Sequence, residues 1–155
     1  MKRMKTAKIK SIFFGLSIGI VVFTHQSGTA QENKKLNDSI KLYTIENCVN
    51  QFSMDETVET SVGYQYWFAD KEFVDGRTLK MSVVAPYKST HEPHKHMEDE
   101  FFFVLEGTAN FYLDGKTIKV GPYTSLYCPS MQMHGISNAG DTQLKYLVIK
   151  KYQKN

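Results

Sequence analysis

Seven short segments rich in β-branched and aromatic residues follow one another between residues 61 and 152. Apolar and polar side chains that alternate, with turn residues between the runs, are typical of β-strands. The Asp114-Gly115 pair separates two of these segments and indicates a β-hairpin. No stretch here has a convincing helical period, although the residues around 47–58 are compatible with one turn of helix. The sequence therefore predicts one all-β domain, a sandwich or barrel with strands at 61–69, 78–85, 100–107, 108–114, 116–120, 124–128 and 143–152.

Residues 1–30 have the three-part pattern of a secretory signal peptide. Basic residues come first, and an apolar run from Ser11 to Phe23 follows. Gly28 and Ala30 then occupy the small-residue positions of a cleavage site. An uncleaved membrane anchor is the alternative, but a bilayer span takes about 20 apolar residues, which is more than this run provides. We expect cleavage near Ala30 and a mature protein that is secreted or periplasmic in a bacterium, with no stable membrane anchor.

Removal of the leader changes the net charge of the chain. The leader holds five of the 19 basic residues and none of the 16 acidic ones, so 14 basic residues remain against 16 acidic ones, a net charge of about −2. Because no positive cluster remains to neutralise phosphates, a nucleic-acid partner is excluded.

We expect residues 31–45 to form a loose N-terminal arm and residues 46–155 to form the folded domain.

Four histidines remain after the leader, and they lie in two segments. His94 and His96 are two residues apart, so on an extended strand their imidazoles project from one face. Glu100 begins the next predicted strand, and His134 lies in a second polar segment that a small barrel can bring within reach. Imidazoles and a carboxylate suit a divalent transition metal, whereas a His-x-His pair alone also occurs in solvated loops. His91 has the wrong spacing to share that face, so we expect it to be exposed or to lie behind the ligands.

The first histidine segment resembles a motif of the cupin superfamily. The pattern His94-x-His96-xxx-Glu100-xxxxxx-Gly107 is similar to the first cupin motif at every ligand position and at its closing glycine. The resemblance implies that Gly107 serves a turn. It covers roughly residues 78–150.

The second histidine segment resembles the second cupin motif. Pro129-xxxx-His134-xxx-Asn138 keeps the spacing of that motif, and the short stretch between the motifs is typical of small single-domain cupins. Tyr123 and Met131 depart from the pattern, because each stands where the family usually has glycine. The resemblance gives Pro129 and Asn138 structural roles, the second by pinning a loop with hydrogen bonds.

The resemblance also implies a fold and a cofactor. The fold would be a double-stranded β-helix, which is a small jelly-roll barrel. The cofactor would be one divalent transition metal ion, with Zn, Fe, Mn, Ni and Co left open. Such an ion would keep one or two positions for water or substrate, as catalytic sites do. Its ligands would be His94, His96, Glu100 and His134.

Three residues are candidates for contact with a substrate. Phe102 shares the face of Glu100, so it forms either a hydrophobic wall of the site or ordinary core. Arg77 is the only arginine after the leader, and it either clamps a substrate carboxylate or is an exposed loop charge. Tyr112 lies on the less apolar face of its strand, where it suits either a sugar ring or sheet packing.

Three functions fit such a site, and each takes a small-molecule partner. The first is a metal-dependent isomerase or lyase acting on a small sugar or on an unsaturated uronic acid from polysaccharide breakdown, as several small cupins do. Predicted export favours this function. The second is an Fe(II)-dependent dioxygenase, which would use the same four ligands. The third is a non-enzymatic module that binds a small ligand.

The cysteines and the oligomeric state allow more than one outcome. Cys48 and Cys128 form one disulfide or stay apart as thiols, and the place of Cys128 beside the metal motif favours a free, shielded thiol. Cupins of this size often form homodimers through edge strands, and the strand at 61–69 is the candidate edge.

Overall fold

The computed structural model describes residues 42–74 and 76–152. Thr44–Asn155 form one compact unit, and Met1–Tyr43 form a second unit of which only the last two residues are described. The predicted signal peptide, residues 1–30, and most of the predicted arm therefore lie outside the described residues. Within the described ranges, no helix has the length and apolar character needed to cross a membrane.

The described residues form nine strands and two short helical turns. In chain order the elements are α1 (Ile45–Cys48), a 3-10 turn (Met54–Glu56), β1 (Val58–Thr60), β2 (Gly63–Val74), β3 (Arg77–Val84), β4 (Glu100–Glu106), β5 (Ala109–Leu113), β6 (Lys116–Val120), β7 (Ser125–Cys128), β8 (His134–Asn138) and β9 (Leu144–Lys151).

The strands form two antiparallel sheets. The larger sheet has the order β1-β2-β3-β9-β4-β7, and the smaller sheet has the order β6-β5-β8. Neighbours in the larger sheet, such as β3 and β9, are distant in sequence, as in a jelly roll rather than a simple meander. The predicted all-β jelly roll is confirmed.

All seven predicted segments are strands in the structure, with ends that differ by a few residues. The sequence did not predict β1 as a strand, because its three residues have too little pattern. It also did not predict β8 as a separate strand. The predicted edge at 61–69 is right only in part. Residues 63–65 of β2 pair with β1, while in the described part of the chain the rest of β2 has a strand partner on the β3 side alone.

The hydrophobic core lies between the two sheets. Along β4 every second residue is buried, beginning with Glu100, so this strand presents one face to the core. Phe111 of β5 and Ile136 of β8 meet that face from the smaller sheet. The ring centroids of Phe102 and Phe111 are 6.4 Å apart and the rings meet edge to face, an arrangement that aromatic pairs favour.

The opposite face of the larger sheet is covered in part by residues 50–56. The hydroxyl of Tyr66, a buried residue of β2, lies 2.6 Å from Oδ1 of Asn50 and 2.9 Å from the carbonyl oxygen of Gln51. The ring of Phe52 meets the ring of Tyr66 edge to face at 5.1 Å. The N-terminal segment is therefore fixed to the sheet by a buried hydroxyl and an aromatic pair.

Three turns carry the left-handed backbone that the motifs require. Gly107 has a φ of 84°, and a Cβ at this position would lie 2.5 Å from the carbonyl oxygen of Gln143, so only glycine fits. Tyr123 and Met131, which stand where glycine is usual, each have a φ of 61°. The chain thus keeps the turn geometry at both positions although an L-residue is strained there.

Asn138 holds three loops together at the end of β8. Its side chain is buried, and Nδ2 donates to the carbonyl oxygens of Val84, Ala85 and Thr142 at 3.0, 3.0 and 2.7 Å. Its Oδ1 accepts from the backbone N–H of Gly140 at 2.9 Å. These hydrogen bonds hold the loops together, which is the structural role that the motif implied for Asn138.

Candidate metal centre

The four predicted ligand side chains converge at one end of the barrel. His94 and His134 form an isolated antiparallel bridge, in which each backbone N–H donates to the carbonyl oxygen of the other residue at 2.9 Å. His96 follows in an irregular segment, and Glu100 begins β4. This segment pairs with β8 only at the bridge, so His94 and His96 do not lie on a regular strand. The two imidazoles nevertheless approach each other, with ring centroids 5.4 Å apart.

The turn around Pro129 fixes this irregular segment from the other side. The Met131 N–H donates to the carbonyl oxygen of His96 at 2.8 Å, and the Ser130 hydroxyl donates to that of Met97 at 2.6 Å. The Gln132 N–H closes the turn on the Pro129 carbonyl oxygen at 3.3 Å. The second motif therefore positions the histidines of the first motif as well as its own.

Each imidazole is oriented by the same kind of backbone contact. Nδ1 of His94, His96 and His134 lies 3.0, 2.7 and 2.8 Å from a carbonyl oxygen two residues away. A carbonyl oxygen can only accept, so each Nδ1 carries the proton. The neutral ring then has its lone pair on Nε2, the tautomer of a metal-binding histidine whose other nitrogen is held by a carbonyl group.

Glu100 faces two of these lone pairs. Its Oε1 lies 3.1 Å from Nε2 of His134 and 3.6 Å from Nε2 of His96. Glu100 is 6% exposed and His134 is 0% exposed, so the carboxylate is largely removed from water. The Lys150 ammonium lies 3.9 Å from Oε2 of Glu100, on the side away from His134, so a cation between Oε1 and the two imidazoles would add to the charge balance of this carboxylate.

A divalent transition metal fits this donor set. The ligand atoms of His94, His96 and His134 lie within 4.8 Å of one another. Two nitrogens that share an ion at about 2.1 Å are at most about 4.2 Å apart, so small side-chain movements complete the set. The three histidines with Glu100 would hold the ion, and nitrogen and oxygen donors suit Zn, Fe, Mn, Co or Ni.

Two neighbouring residues are unsuited to complete the ligand set. Cys128 pairs with Glu100 across the β4–β7 ladder. Its sulfur lies within 4.8 Å of ligand atoms of Glu100 and His134. Burial, and then the charge of Glu100, raise the pKa of this thiol to about 12, so it is protonated in the metal-free protein. His91 is exposed, as predicted, and its ring centroid is 5.8 Å from that of His94.

The cysteines are free thiols in the structure. Cys48 is exposed in α1, whereas Cys128 is buried in the core. The structure thus favours the free, shielded thiol over the disulfide.

A cavity of about 450 Å³ opens beside the ligand cluster. His94, His96 and Glu100 form one part of its wall. The inner face of the larger sheet forms most of the rest, with hydroxyl, amide, ammonium and aromatic groups. These are Gln65, Trp67, Thr78, Lys80, Ser82, Phe102, Tyr146, Lys150 and Tyr152. Tyr64, which packs against Tyr66 on the other face of the sheet, also borders the cavity.

The structure brings one of the three predicted substrate residues to this cavity. Phe102 lines it and is 5% exposed, so it is both wall and core. Arg77 is exposed at the first position of β3, on the face opposite to Thr78, and does not line the cavity. Tyr112 lines a separate, shallower hollow behind β8. The alternation of β3 and β5 turns both side chains away from the ligand cluster.

Sequence reasoning missed the lysines of the cavity wall. Nζ of Lys150 lies 3.0 Å from Nε2 of His96 and 3.9 Å from Oε2 of Glu100. Lys80 lies on the neighbouring strand, on the face of Thr78. The alternation of Thr78, Lys80 and Ser82 is the signal that could have indicated a polar inward face.

A comparison with known families identifies the domain. A family model described as "Cupin domain" matches residues 80–150, which include all four predicted ligands. The chain therefore carries a cupin domain, as the motifs predicted. No curated protein is significantly similar to the chain in sequence.

Solved structures with the same fold include several cupins. A predicted oxalate decarboxylase from Thermotoga maritima is 24% identical, with a TM-score of 0.53 over 57% of this chain and 78% of its own. KdgF from Halomonas sp. is 18% identical, with a TM-score of 0.54 over 66% and 96%. A sugar phosphate isomerase from Silicibacter pomeroyi is 19% identical, with a TM-score of 0.51 over 57% and 60%. At these identities the similarity concerns the fold.

Proposed function

We propose that this protein is an exported, metal-dependent isomerase or lyase that acts on a small sugar or on an unsaturated uronic acid. The observation that carries the proposal is the polar cavity that opens directly on the three-histidine, one-carboxylate cluster. A structural metal site is closed by its ligands, whereas this cluster has room beside it for a substrate of sugar size. One solved structure of the same fold is described as a sugar phosphate isomerase, which agrees with sugar chemistry in such a cavity.

The ion held by the four ligands would act as a Lewis acid on a carbonyl or hydroxyl oxygen of the substrate. The rest of the chemistry falls to the side chains of the cavity. Hydroxyl and amide groups such as those of Thr78, Ser82 and Gln65 can hydrogen-bond the hydroxyls of a sugar. Aromatic rings such as Trp67 offer an apolar face to a sugar ring.

Two cavity side chains are placed to handle protons. Burial raises the pKa of Tyr146, and the side chains of Thr90 and Ser82 near its hydroxyl lower it in part. This tyrosine therefore stays protonated and can donate to a substrate oxygen. His91 lines the cavity but does not belong to the ligand cluster, so it is free to move a proton between substrate and solvent.

An Fe(II)-dependent dioxygenase and a non-enzymatic binding module are the rival functions. A dioxygenase would use the same ligands but would consume oxygen. A binding module would hold the ligand in the same cavity without changing it. Oxygen dependence and turnover therefore separate the three functions.

The experiment is an anaerobic assay of the purified protein loaded in turn with Zn, Mn, Fe, Co or Ni. Loss of the ultraviolet absorbance of an unsaturated uronate measures the reaction. We expect turnover that follows metal content and is the same with and without oxygen. Turnover only in oxygen would assign the dioxygenase. Tight ligand binding with no turnover of any sugar acid would assign the binding module.

Export and self-association belong to the same proposal. Mass spectrometry of protein recovered from the periplasm or medium should give an N-terminus at Gln31, because cleavage is expected after Ala30.

A homodimer would be formed most simply by pairing of exposed strand edges. Light scattering of the mature protein measures that state.

A further inference from the structure

Lys80 lies on the inner face of the larger sheet, next to the row of residues that leads to the metal cluster. Across the sheet it pairs with Val148 of β9, and Val148 pairs with Phe102 of β4. The adjacent row joins Thr78, Lys150 and Glu100 in the same way. Neighbouring strands are about 4.8 Å apart and the two rows are offset by about 6.8 Å along the strand, so the backbones at Lys80 and Glu100 are separated by about 12 Å. Both side chains line the cavity from the same face of the sheet, so a ligand that lies along this face can reach both.

The two cavity lysines differ in their partners. Lys150 lies 3.8 Å from Oε2 of Glu98 and 3.9 Å from Oε2 of Glu100, so its charge is balanced. Lys80 has no carboxylate within 4.0 Å and makes no hydrogen bond among the described residues. Among the described residues, Lys80 makes one cation–π contact, with the ring of Trp67, whose centroid lies 5.1 Å from Nζ.

A partly desolvated ammonium without an anion is costly in a folded protein. Burial lowers the pKa of Lys80, and of the neighbouring charges Glu100 raises it while Lys150 lowers it. A cation–π contact compensates only in part, since it contributes about 0.5–2 kcal/mol. An anion bound in the cavity would supply the missing partner.

We propose that Lys80 is the anion-binding residue of the cavity and holds the carboxylate of the substrate while the other end of the molecule faces the metal cluster. This inference rests on the proposed function and narrows its substrates to sugar acids. A single unpaired ammonium matches a singly charged carboxylate better than a doubly charged phosphate, because Lys150 is already engaged. Lys80, rather than Arg77, would then bind the substrate carboxylate.

Trp67 makes the proposal directly measurable. It is the only tryptophan of the chain, and its ring lies against the Lys80 ammonium. A carboxylate that binds at Lys80 should therefore change the tryptophan fluorescence. Isothermal titration calorimetry of the same samples gives the affinity without depending on that signal.

The experiment titrates metal-loaded protein with D-glucuronate and, as a neutral counterpart, D-glucose. We expect glucuronate to bind at least about tenfold more tightly than glucose, with a fluorescence change, because a charge-assisted hydrogen bond is lost with the neutral sugar. Lys80→Gln should remove this preference and leave glucose binding unchanged, whereas Lys80→Arg should keep most of it. Arg77→Gln is the matched control, since it removes one positive charge from the same strand on the opposite face.

The outcomes separate this inference from the proposed reaction. Lys80-dependent glucuronate binding without any turnover would leave the anion site standing and reject the reaction. Turnover of an unsaturated uronate with equal glucuronate affinity in wild type and Lys80→Gln would keep the reaction and overturn the role of Lys80. Tighter, Lys80-dependent binding of glucose 6-phosphate than of glucuronate would overturn the choice of carboxylate, and so would glucuronate binding no tighter than glucose binding.

Discussion

Oε1 of Glu100 lies 3.1 Å from Nε2 of His134, and both side chains are buried. The Nδ1 of this histidine is committed to the carbonyl oxygen of Gln132, so in the neutral ring the Nε2 lone pair faces the carboxylate at a place of low exposure. A protein that only needed a packed core would not bury this pair. The contact is understandable when a cation joins the two groups.

Glu100→Gln tests that explanation. The amide keeps the shape of the carboxylate but carries no charge, and its NH₂ can donate to Nε2 of His134. We expect metal affinity to fall at least tenfold, while the Tm of the metal-free variant is equal to or higher than that of the wild type, because a buried charge is gone. Lys150 keeps Glu98 as a partner. Calorimetry with and without chelator measures both quantities, and an unchanged metal affinity would contradict the ligand role of Glu100.

His91→Ala separates a proton-transfer group from a metal ligand. His91 lies outside the ligand cluster, so elemental analysis of this variant should give the same metal content as the wild type. Its rate on an unsaturated uronate should fall by about 10²-fold or more, which is the usual contribution of a general acid or base. A loss of metal instead would show that the predicted spacing argument about His91 is wrong.

Asn138→Ala should be strongly destabilising. The side chain is 3% exposed and serves three carbonyl oxygens and one N–H in loops that come from different parts of the chain. Loss of these bonds leaves buried backbone groups without partners, which should lower the free energy of unfolding by about 2–4 kcal/mol. Asn110→Ala is the control, because Asn110 is half-buried on β5. Equal urea midpoints for the two variants would argue against the pinning role.

Tyr123→Gly and Met131→Gly should each stabilise the protein. Both residues have a φ of 61°, where an L-residue is strained by about 1–2 kcal/mol and glycine is not. The greater freedom of glycine in the unfolded chain offsets part of this, so we expect a gain of up to about 1 kcal/mol at each site. Tyr127→Gly, in the middle of β7, should do the opposite, since glycine weakens a strand. Thermal denaturation of the three variants provides the comparison, and a lower Tm for both turn variants would contradict the strain argument.

Thiol titration tests the buried cysteine. Cys128 is 0% exposed, and burial raises its pKa to about 12, so at pH 8 it is protonated and shielded. Iodoacetamide should therefore modify only Cys48 in the native protein and both thiols after denaturation. Mass spectrometry counts the adducts. Rapid modification of Cys128 in the native state, or a disulfide between the two, would contradict this placement.

The sequence predicted the sheets well because β-strands reveal themselves by alternation and turn residues. In β4, Glu100 and Phe102 follow this pattern closely, so the inward face could be read directly. The three residues of β1 are too few for a pattern, and the sequence could not show that they pair with Gly63 and its neighbours.

The sequence also predicted only part of the site. The spacing of His94 and His96 indicated their convergence, although the reason is an irregular segment held by β8 and the Pro129 turn rather than a strand. Lys80 was not predicted, because its place in the cavity depends on the pairing of β3 with β9, which joins residues far apart in the sequence. A lone arginine was more conspicuous in the sequence than a lysine whose partners only the fold supplies.

The most direct test of the account is the metal content of the His94→Ala, His96→Ala double variant. Each substitution removes one imidazole whose Nε2 faces the cluster, which leaves Glu100 and His134 as a two-ligand site too weak to retain an ion through purification. Elemental analysis should give about one transition metal ion per chain for the wild type and less than about one tenth of that for the double variant, with circular dichroism confirming the fold. Full metal occupancy in the double variant would contradict the account.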